Sequence, residues 1–202
     1  MSLSRLQITK AVLFVVCLIP ASVLAWNFFH DQLGANPFEA LTRESGEWTL
    51  RFLLVTLLMT PLRNILHQAW PLKLRRMLGL YSFFYACLHL LTYLWFDQFF
   101  DWQEITKDIL KRPFITAGIT AWLLLLPLAL TSTNGMMRRL GRNWKRLHRS
   151  IYLIATLGVL HFIWLVKADL REPLIYAAIL TLLLGYRITK WWQKRSLSVV
   201  AR

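Results

Sequence analysis

Two histidines lie inside strongly apolar stretches of this chain, where an ionisable side chain is costly to bury. His89 interrupts the run GLYSFFYACLHLLTYLWF, and His161 lies deep in WKRLHRSIYLIATLGVLHFIWLVK, which begins in a basic cluster. A buried imidazole needs partners for its ring nitrogens, so a histidine at membrane depth is a candidate functional residue. Imidazole nitrogens are also axial ligands of haem iron. The pair therefore suggests a haem held between two membrane helices.

The composition is that of a membrane protein. Of the 202 residues, 56% are hydrophobic, and the mean hydropathy is +0.45, which exceeds the apolar share of ordinary soluble domains. The formal net charge of +14 would suggest a nucleic-acid partner on a soluble protein. Here the placement of the charges relative to a lipid bilayer explains it, so no nucleic-acid partner is expected.

Six apolar segments are long enough to cross a bilayer, which takes about 20 helical residues. Their approximate limits are 10–30, 49–66, 78–96, 114–131, 149–166 and 173–190. Backbone groups in lipid must be paired within their own segment, so the segments are predicted to be helices. The expected fold is an all-α integral membrane protein with six transmembrane helices, a single domain over residues 1–202 without an internal repeat.

The distribution of charge predicts the orientation. All ten acidic residues lie in the loops after the first, third and fifth segments, whereas the other loops and both termini carry only lysine and arginine. The positive-inside rule places both termini in the cytoplasm. The first segment also has features of a cleaved signal peptide ending at Ala25, but its apolar run continues through Phe29 and can span by itself.

The two intramembrane histidines are predicted to share one depth. His89 lies eight residues before Asp97 and His161 six residues before Lys167, on two segments that both run outward. At the helical rise, these spacings place them about 12 Å and about 9 Å below the outer boundary. A facing pair at one depth is what a six-coordinate haem iron requires. Gly158 could provide space for the porphyrin ring.

His148 and Arg75 mark a second, inner level. Each lies about 20 Å further toward the cytoplasm than the histidine on its own helix. Arg75 falls within about 40° of the face of His89, but His148 is turned about 140° from His161 unless the helix start is kinked or loosened. The pair predicts an inner site for a haem, a flavin or a quinone, where electrons enter. The alternatives are a topology charge for Arg75 and a headgroup-zone histidine for His148.

Several motifs together resemble one family of membrane proteins. The motifs are Arg75–Leu80, Leu88–Leu90, Arg112–Gly118, Leu130–Thr133, Trp144–Tyr152 and His161. Over nearly its whole length the chain resembles the haem-binding membrane subunit of the bacterial periplasmic protein-methionine-sulfoxide reductase, the MsrQ or YedZ family. That family belongs to the ferric-reductase-like transmembrane superfamily.

The resemblance implies haem b, in one or two copies, with His89, His148 and His161 as the haem histidines. It leaves room for flavin mononucleotide (FMN), and it implies electron supply from the quinone pool or a cytosolic flavin reductase. The implied partner is a periplasmic molybdopterin enzyme that reduces methionine sulfoxide in oxidised proteins, and the implied location is the bacterial inner membrane. Larger superfamily members carry a fourth histidine where this chain has Arg75, so it lacks the ligands of a second bis-histidine haem.

Three functions remain open from the residues alone. An electron-transfer subunit of an oxidoreductase complex, without a catalytic residue of its own, is the favoured one. A transporter that uses the histidines for protons or a metal ion would be expected to place carboxylates beside them, but all ten acids lie in loops. A membrane anchor for a soluble partner would leave the shared depth of His89 and His161 as a coincidence.

Overall fold

A computed structural model describes residues 3–166 and 168–200, and this part of the chain is almost entirely helical. Its α-helices are α1 (Leu3–Phe29), α2 (Pro37–Leu66), α3 (Trp70–Thr92), α4 (Trp102–Lys111), α5 (Pro113–Leu130), α6 (Asn134–Leu140), α7 (Arg142–Leu147), α8 (Ile151–Leu165) and α9 (Arg171–Val200). A π-helical turn at Tyr93–Asp97 extends α3, and a 3₁₀ turn at His148–Ser150 joins α7 to α8. Lys167, which marks an outer boundary in the depth argument, and both chain ends lie outside the described residues.

The predicted all-α fold with six transmembrane helices is confirmed. The described residues form six helices that are long and apolar enough to cross a membrane. They are Arg5–Phe29, Pro37–Leu66, Trp70–Asp97, Pro113–Leu130, Arg142–Leu165 and Arg171–Gln193. The bundle thus contains the number of spans that the apolar segments predict.

Four helices are longer than their apolar segments. Helix α2 begins at Pro37 rather than near residue 49, and Asn36 caps it by accepting a hydrogen bond from the backbone N–H of Glu39 at 3.3 Å. Helix α1 begins at Leu3 rather than near residue 10, α3 begins at Trp70 rather than near residue 78, and α9 continues to Val200. The added turns contain charged and polar residues, which can extend a helix without adding to its hydropathy. The limits of an apolar run therefore underestimate the lengths of these helices.

Two helical hairpins form the centre of the bundle. Helices α2 and α3 pack closely together, as do α5 and α8, and α9 contacts both α2 and α8. Leu53, Leu57 and Ala155 are almost fully buried where these helices meet. Helix α1 lies to one side, where the hydroxyl groups of Tyr81 and Tyr85 donate to its backbone carbonyls at 2.7 and 2.8 Å. The two hairpins are therefore the elements that can position a central site.

Candidate functional site

His89 on α3 and His161 on α8 meet at the centre of the two hairpins. Their ring centroids are 5.9 Å apart, and the ring planes make an angle of 79°. A metal–imidazole distance of about 2 Å on each side would place two ring centroids roughly 6 Å apart. The separation fits one iron ion between the two rings. The structure thus brings together the two residues that the depth argument paired.

The backbone fixes the tautomer of both histidines. Nδ1 of His89 donates to the carbonyl oxygen of Thr42, and Nδ1 of His161 donates to the carbonyl oxygen of Phe114, each at 2.7 Å. A carbonyl oxygen can only accept, so Nδ1 carries the ring proton in the neutral imidazole. The lone pair of each Nε2 is then left to bind a metal. Both rings therefore have the protonation that axial ligands of a haem iron need.

A glycine on the neighbouring helix lies directly against each histidine ring. A Cβ atom at Gly46 would lie 2.9 Å from Cε1 of His89, and one at Gly118 would lie 2.9 Å from Nδ1 of His161. Such short contacts would force the rings to move. Glycine at these two positions leaves room for each imidazole beside the helix whose carbonyl it binds.

The two hairpins repeat the same local design. Each histidine lies 47 residues further along the chain than the residue whose carbonyl oxygen accepts its hydrogen bond. Within α2 and α5, the contacting glycine follows that carbonyl by one helical turn. This structural repeat was missed by the sequence analysis, which predicted none, because the repeated partners are backbone atoms. The sequence did contain one sign of this repeat. Gly46 precedes His89 by the same number of residues as Gly118 precedes His161.

The two histidines line a cavity of about 670 Å³ between the hairpins. This volume lies within the range of pockets that hold small molecules and cofactors, about 300–1,000 Å³. Small residues on all four central helices leave this space, namely Gly46, Ala86, Gly118, Ala121 and Gly158. Gly158 therefore lies where the sequence analysis placed it. The size and the small-residue lining of the cavity fit a flat cofactor between the two rings.

The outer rim of this cavity is polar. Arg43 and Arg112 both line it, with about 60% of each side chain exposed (62% and 56%). Asp108 on α4 pairs with Arg112 at 3.2 Å and accepts hydrogen bonds from Gln98 and Tyr93. This network ties α4 to the rim, and the two arginines could bind carboxylates of a cofactor. The sequence analysis had not selected either arginine, although Arg112 opens one of the quoted motifs.

His148 lies in the 3₁₀ turn between α7 and α8, where the regular α-helix has not yet begun. Its ring stacks on Trp144 with centroids 3.9 Å apart. Its Nε2 lies 3.1 Å from Oγ1 of Thr131, and that hydroxyl donates to the carbonyl oxygen of Pro127. The hydroxyl therefore accepts from Nε2–H of His148. Unlike the two central histidines, His148 is held through Nε2.

Arg75 lies within electrostatic range of His148. It is half-buried and also lies near Arg187 and Tyr152. Arg187 donates to the hydroxyl of Tyr152 at 3.0 Å and to the carbonyl oxygen of Leu57 at 2.6 Å. The sequence analysis did not select Arg187 as a candidate site residue. Nothing in its sequence position indicated these contacts, because they depend on how α9 packs against α2 and α8.

Comparison with known proteins identifies relatives along most of the chain. Residues 45–159 match the family described as "Ferric reductase like transmembrane component". This range contains His89 and His148 and ends two residues before His161. No solved structure matches the chain.

Three curated relatives carry the name protein-methionine-sulfoxide reductase heme-binding subunit MsrQ. The one from Herminiimonas arsenicoxydans is 53% identical over 195 residues, which cover 95% of this chain and 89% of the relative. The one from Azospira oryzae is 55% identical over 188 residues, which cover 92% and 81%. The one from Xanthomonas campestris pv. campestris is 54% identical over 187 residues, which cover 90% and 86%.

Proposed function

We propose a function for this chain from the fact that it belongs to the MsrQ family of heme-binding membrane subunits, within the ferric-reductase-like transmembrane family. The chain carries electrons across the membrane to a protein-methionine-sulfoxide reductase and has no catalytic residue of its own. One observation carries this proposal. The ring centroids of His89 and His161 lie 5.9 Å apart, and both Nδ1 atoms are already bonded to backbone carbonyls.

The cofactor of this site is haem b, which supplies a one-electron carrier when bound. His89 and His161 hold its iron through their Nε2 atoms. Arg43 and Arg112 at the outer rim bind its propionates. Apolar residues such as Leu53 and Phe162 line the cavity. They limit the access of water to the two imidazoles.

The direct test is an optical spectrum of the purified protein before and after addition of dithionite. A reducible haem b spectrum, with at least about one haem per protein, supports the proposal. A colourless protein isolated from haem-replete cells would contradict it and favour a transporter or a membrane anchor.

The proposed location is the bacterial inner membrane, and the proposed electron acceptor is a periplasmic molybdopterin enzyme that reduces methionine sulfoxide in oxidised proteins.

Electrons enter this chain on the inner side, at His148 and Arg75. The donor is the quinone pool or a cytosolic flavin reductase, and the inner group is a second haem, an FMN or a quinone. Arg75 contributes the positive charge that a propionate, a phosphate or a quinone oxygen needs. What supports this proposal is the position of His148 in the 3₁₀ turn before α8 and of Arg75 on α3 within electrostatic range of it.

The His148→Ala variant is expected to lose most of its reduction by the physiological donor. Its central haem should still bind and should still be reduced by dithionite, because His89 and His161 are unchanged. The measurement is the rate of haem reduction by inner-membrane vesicles supplied with donor. The His148→Gln variant is the matched control, since an amide can still donate to Thr131. Donor-driven reduction at the wild-type rate in the alanine variant would remove His148 from the path.

Both chain ends are expected in the cytoplasm, because the acid-free loops carry the excess of lysine and arginine. A green fluorescent reporter fused after Arg202 should be fluorescent, and alkaline phosphatase at the same position should be inactive. A fusion that ends after Asp31, in the first outer loop, should give the opposite result. Active phosphatase after Arg202 would overturn this topology and the inner position of His148.

A further inference from the structure

Helix α4 is a short helix at the end of the bundle that carries the polar rim of the central cavity. The membrane span before it ends at Asp97, and the span after it begins at Pro113. Both ends of α4 are therefore held at the level where these two spans end. Its ten residues give it a length of about 15 Å, which is too short to cross a bilayer. Helix α4 thus lies along the membrane boundary.

One face of α4 is turned toward the bundle. Ile105 and Asp108 are the buried residues of this helix, which packs against α5. The carboxylate of Asp108 pairs with Arg112 at 3.2 Å and accepts a hydrogen bond from Gln98 at 2.9 Å. Both of these partners line the central cavity. The buried face of α4 is therefore fixed to the rim of that cavity.

A second face is apolar and exposed. Trp102, Thr106 and Leu110 follow one another every four residues, so they lie within about 80° of one another around the helix. Trp102 is 68% exposed and Leu110 is 81% exposed. The hydroxyl of Thr106 donates to the backbone carbonyl of Trp102 at 2.7 Å, which satisfies it within the helix. These three residues form an apolar stripe that could enter lipid without leaving a hydroxyl unpaired.

The third face carries the charges. Glu104, Lys107 and Lys111 are exposed and lie within about 60° of one another, on a side about 130° away from the apolar stripe. Lys107 pairs with Glu104 on this face. An apolar face and a charged face on a helix along the membrane boundary are typical of an interfacial helix, whose apolar face is buried in the bilayer surface.

We propose that the apolar stripe of α4 binds the surface of the lipid bilayer. The stripe continues the lipid-facing surface of the two spans that flank α4, and tryptophan is enriched at this level of membrane proteins. A protein partner that approaches from water would meet the charged face instead. Because the same helix carries Asp108, its contact with lipid also holds the network at the rim of the cavity.

The test measures the depth of single fluorescent labels on α4 of the full-length protein in phosphatidylcholine vesicles. Trp102→Cys and Leu110→Cys place a nitrobenzoxadiazole label on the apolar stripe, and Lys107→Cys places it on the charged face as the matched control. The chain's two cysteines, Cys17 and Cys87, are replaced by alanine in all three variants. Each label is titrated with doxyl groups attached to lipid chains and, separately, with iodide in water.

The labels at positions 102 and 110 should be quenched by doxyl lipid, at a depth of about 5–10 Å inside the headgroup boundary. The label at position 107 should be quenched by iodide instead. Iodide quenching at 102 and 110 as strong as at 107 would overturn the proposal, because the stripe would then lie in water, open to a protein partner. Equal doxyl quenching at all three positions would also overturn it, since the whole helix would then be immersed in lipid. None of these readings depends on the proposed function.

Discussion

Replacing His89 or His161 by alanine is expected to remove the haem of the central cavity. Each change deletes one of the two imidazoles that line this cavity, and the remaining ligand cannot keep the iron six-coordinate. The measurement is haem per protein by the pyridine haemochrome method, with the amount of protein determined separately. Haem in the central cavity should fall by about tenfold or more in each variant, in line with the cost of disturbing a metal site, so that only haem held at the inner site would remain.

The His30→Ala variant is the matched control for this experiment. His30 also bonds through Nδ1 to a backbone carbonyl, that of Trp26, but it is exposed and outside the central cavity. Its haem content should equal that of the wild type. Unchanged haem content in both His89→Ala and His161→Ala would rule out this pair as the axial ligands.

Adding a single methyl group at Gly46 or Gly118 is expected to weaken haem binding without removing a ligand. The new Cβ would lie 2.9 Å from an atom of the facing imidazole, so the ring must rotate or the helix must shift. Overpacking of this kind costs about 1–3 kcal/mol. The haem affinity of the Gly46→Ala and Gly118→Ala variants should fall by about tenfold for each 1.4 kcal/mol of that cost.

Electron paramagnetic resonance of the ferric protein gives the second measurement, since its g values depend on the orientation of the two imidazole planes. They should change in both glycine variants. The Gly185→Ala variant is the control, because a Cβ atom there meets nothing within 4 Å. Wild-type affinity together with wild-type g values in Gly46→Ala and Gly118→Ala would show that the histidine rings do not lie against α2 and α5.

The sequence was sufficient to predict the number of spans and the central pair of histidines. Both follow from lengths along the chain, since a helix rises by a fixed amount per residue and the bilayer has a fixed thickness. Thr42 and Phe114 could not be predicted as partners, because each contributes a backbone carbonyl that any residue type would offer. Glu47 was also missed as a residue that lines the central cavity. It lies just before the apolar segment 49–66, whereas α2 begins at Pro37 and carries it into the bundle.

The surroundings of His148 could not be predicted either. The calculated angle of about 140° from His161 assumes a straight helix. The chain instead has a 3₁₀ turn at His148–Ser150, and a 3₁₀ turn has no reliable sequence signature. Arg187 is a second example, because its partners on α2 and α8 are far away in the sequence.

The matched bonding of the two central histidines has a consequence for biogenesis. His89 is held by α2 within the first hairpin, and His161 is held by α5 within the second. Each hairpin thus orients its own imidazole without help from the other. Helical hairpins can insert into a membrane one after the other and associate afterwards. We therefore expect both halves to be ready before the cofactor arrives, so that maturation can end with two inserted hairpins closing around it.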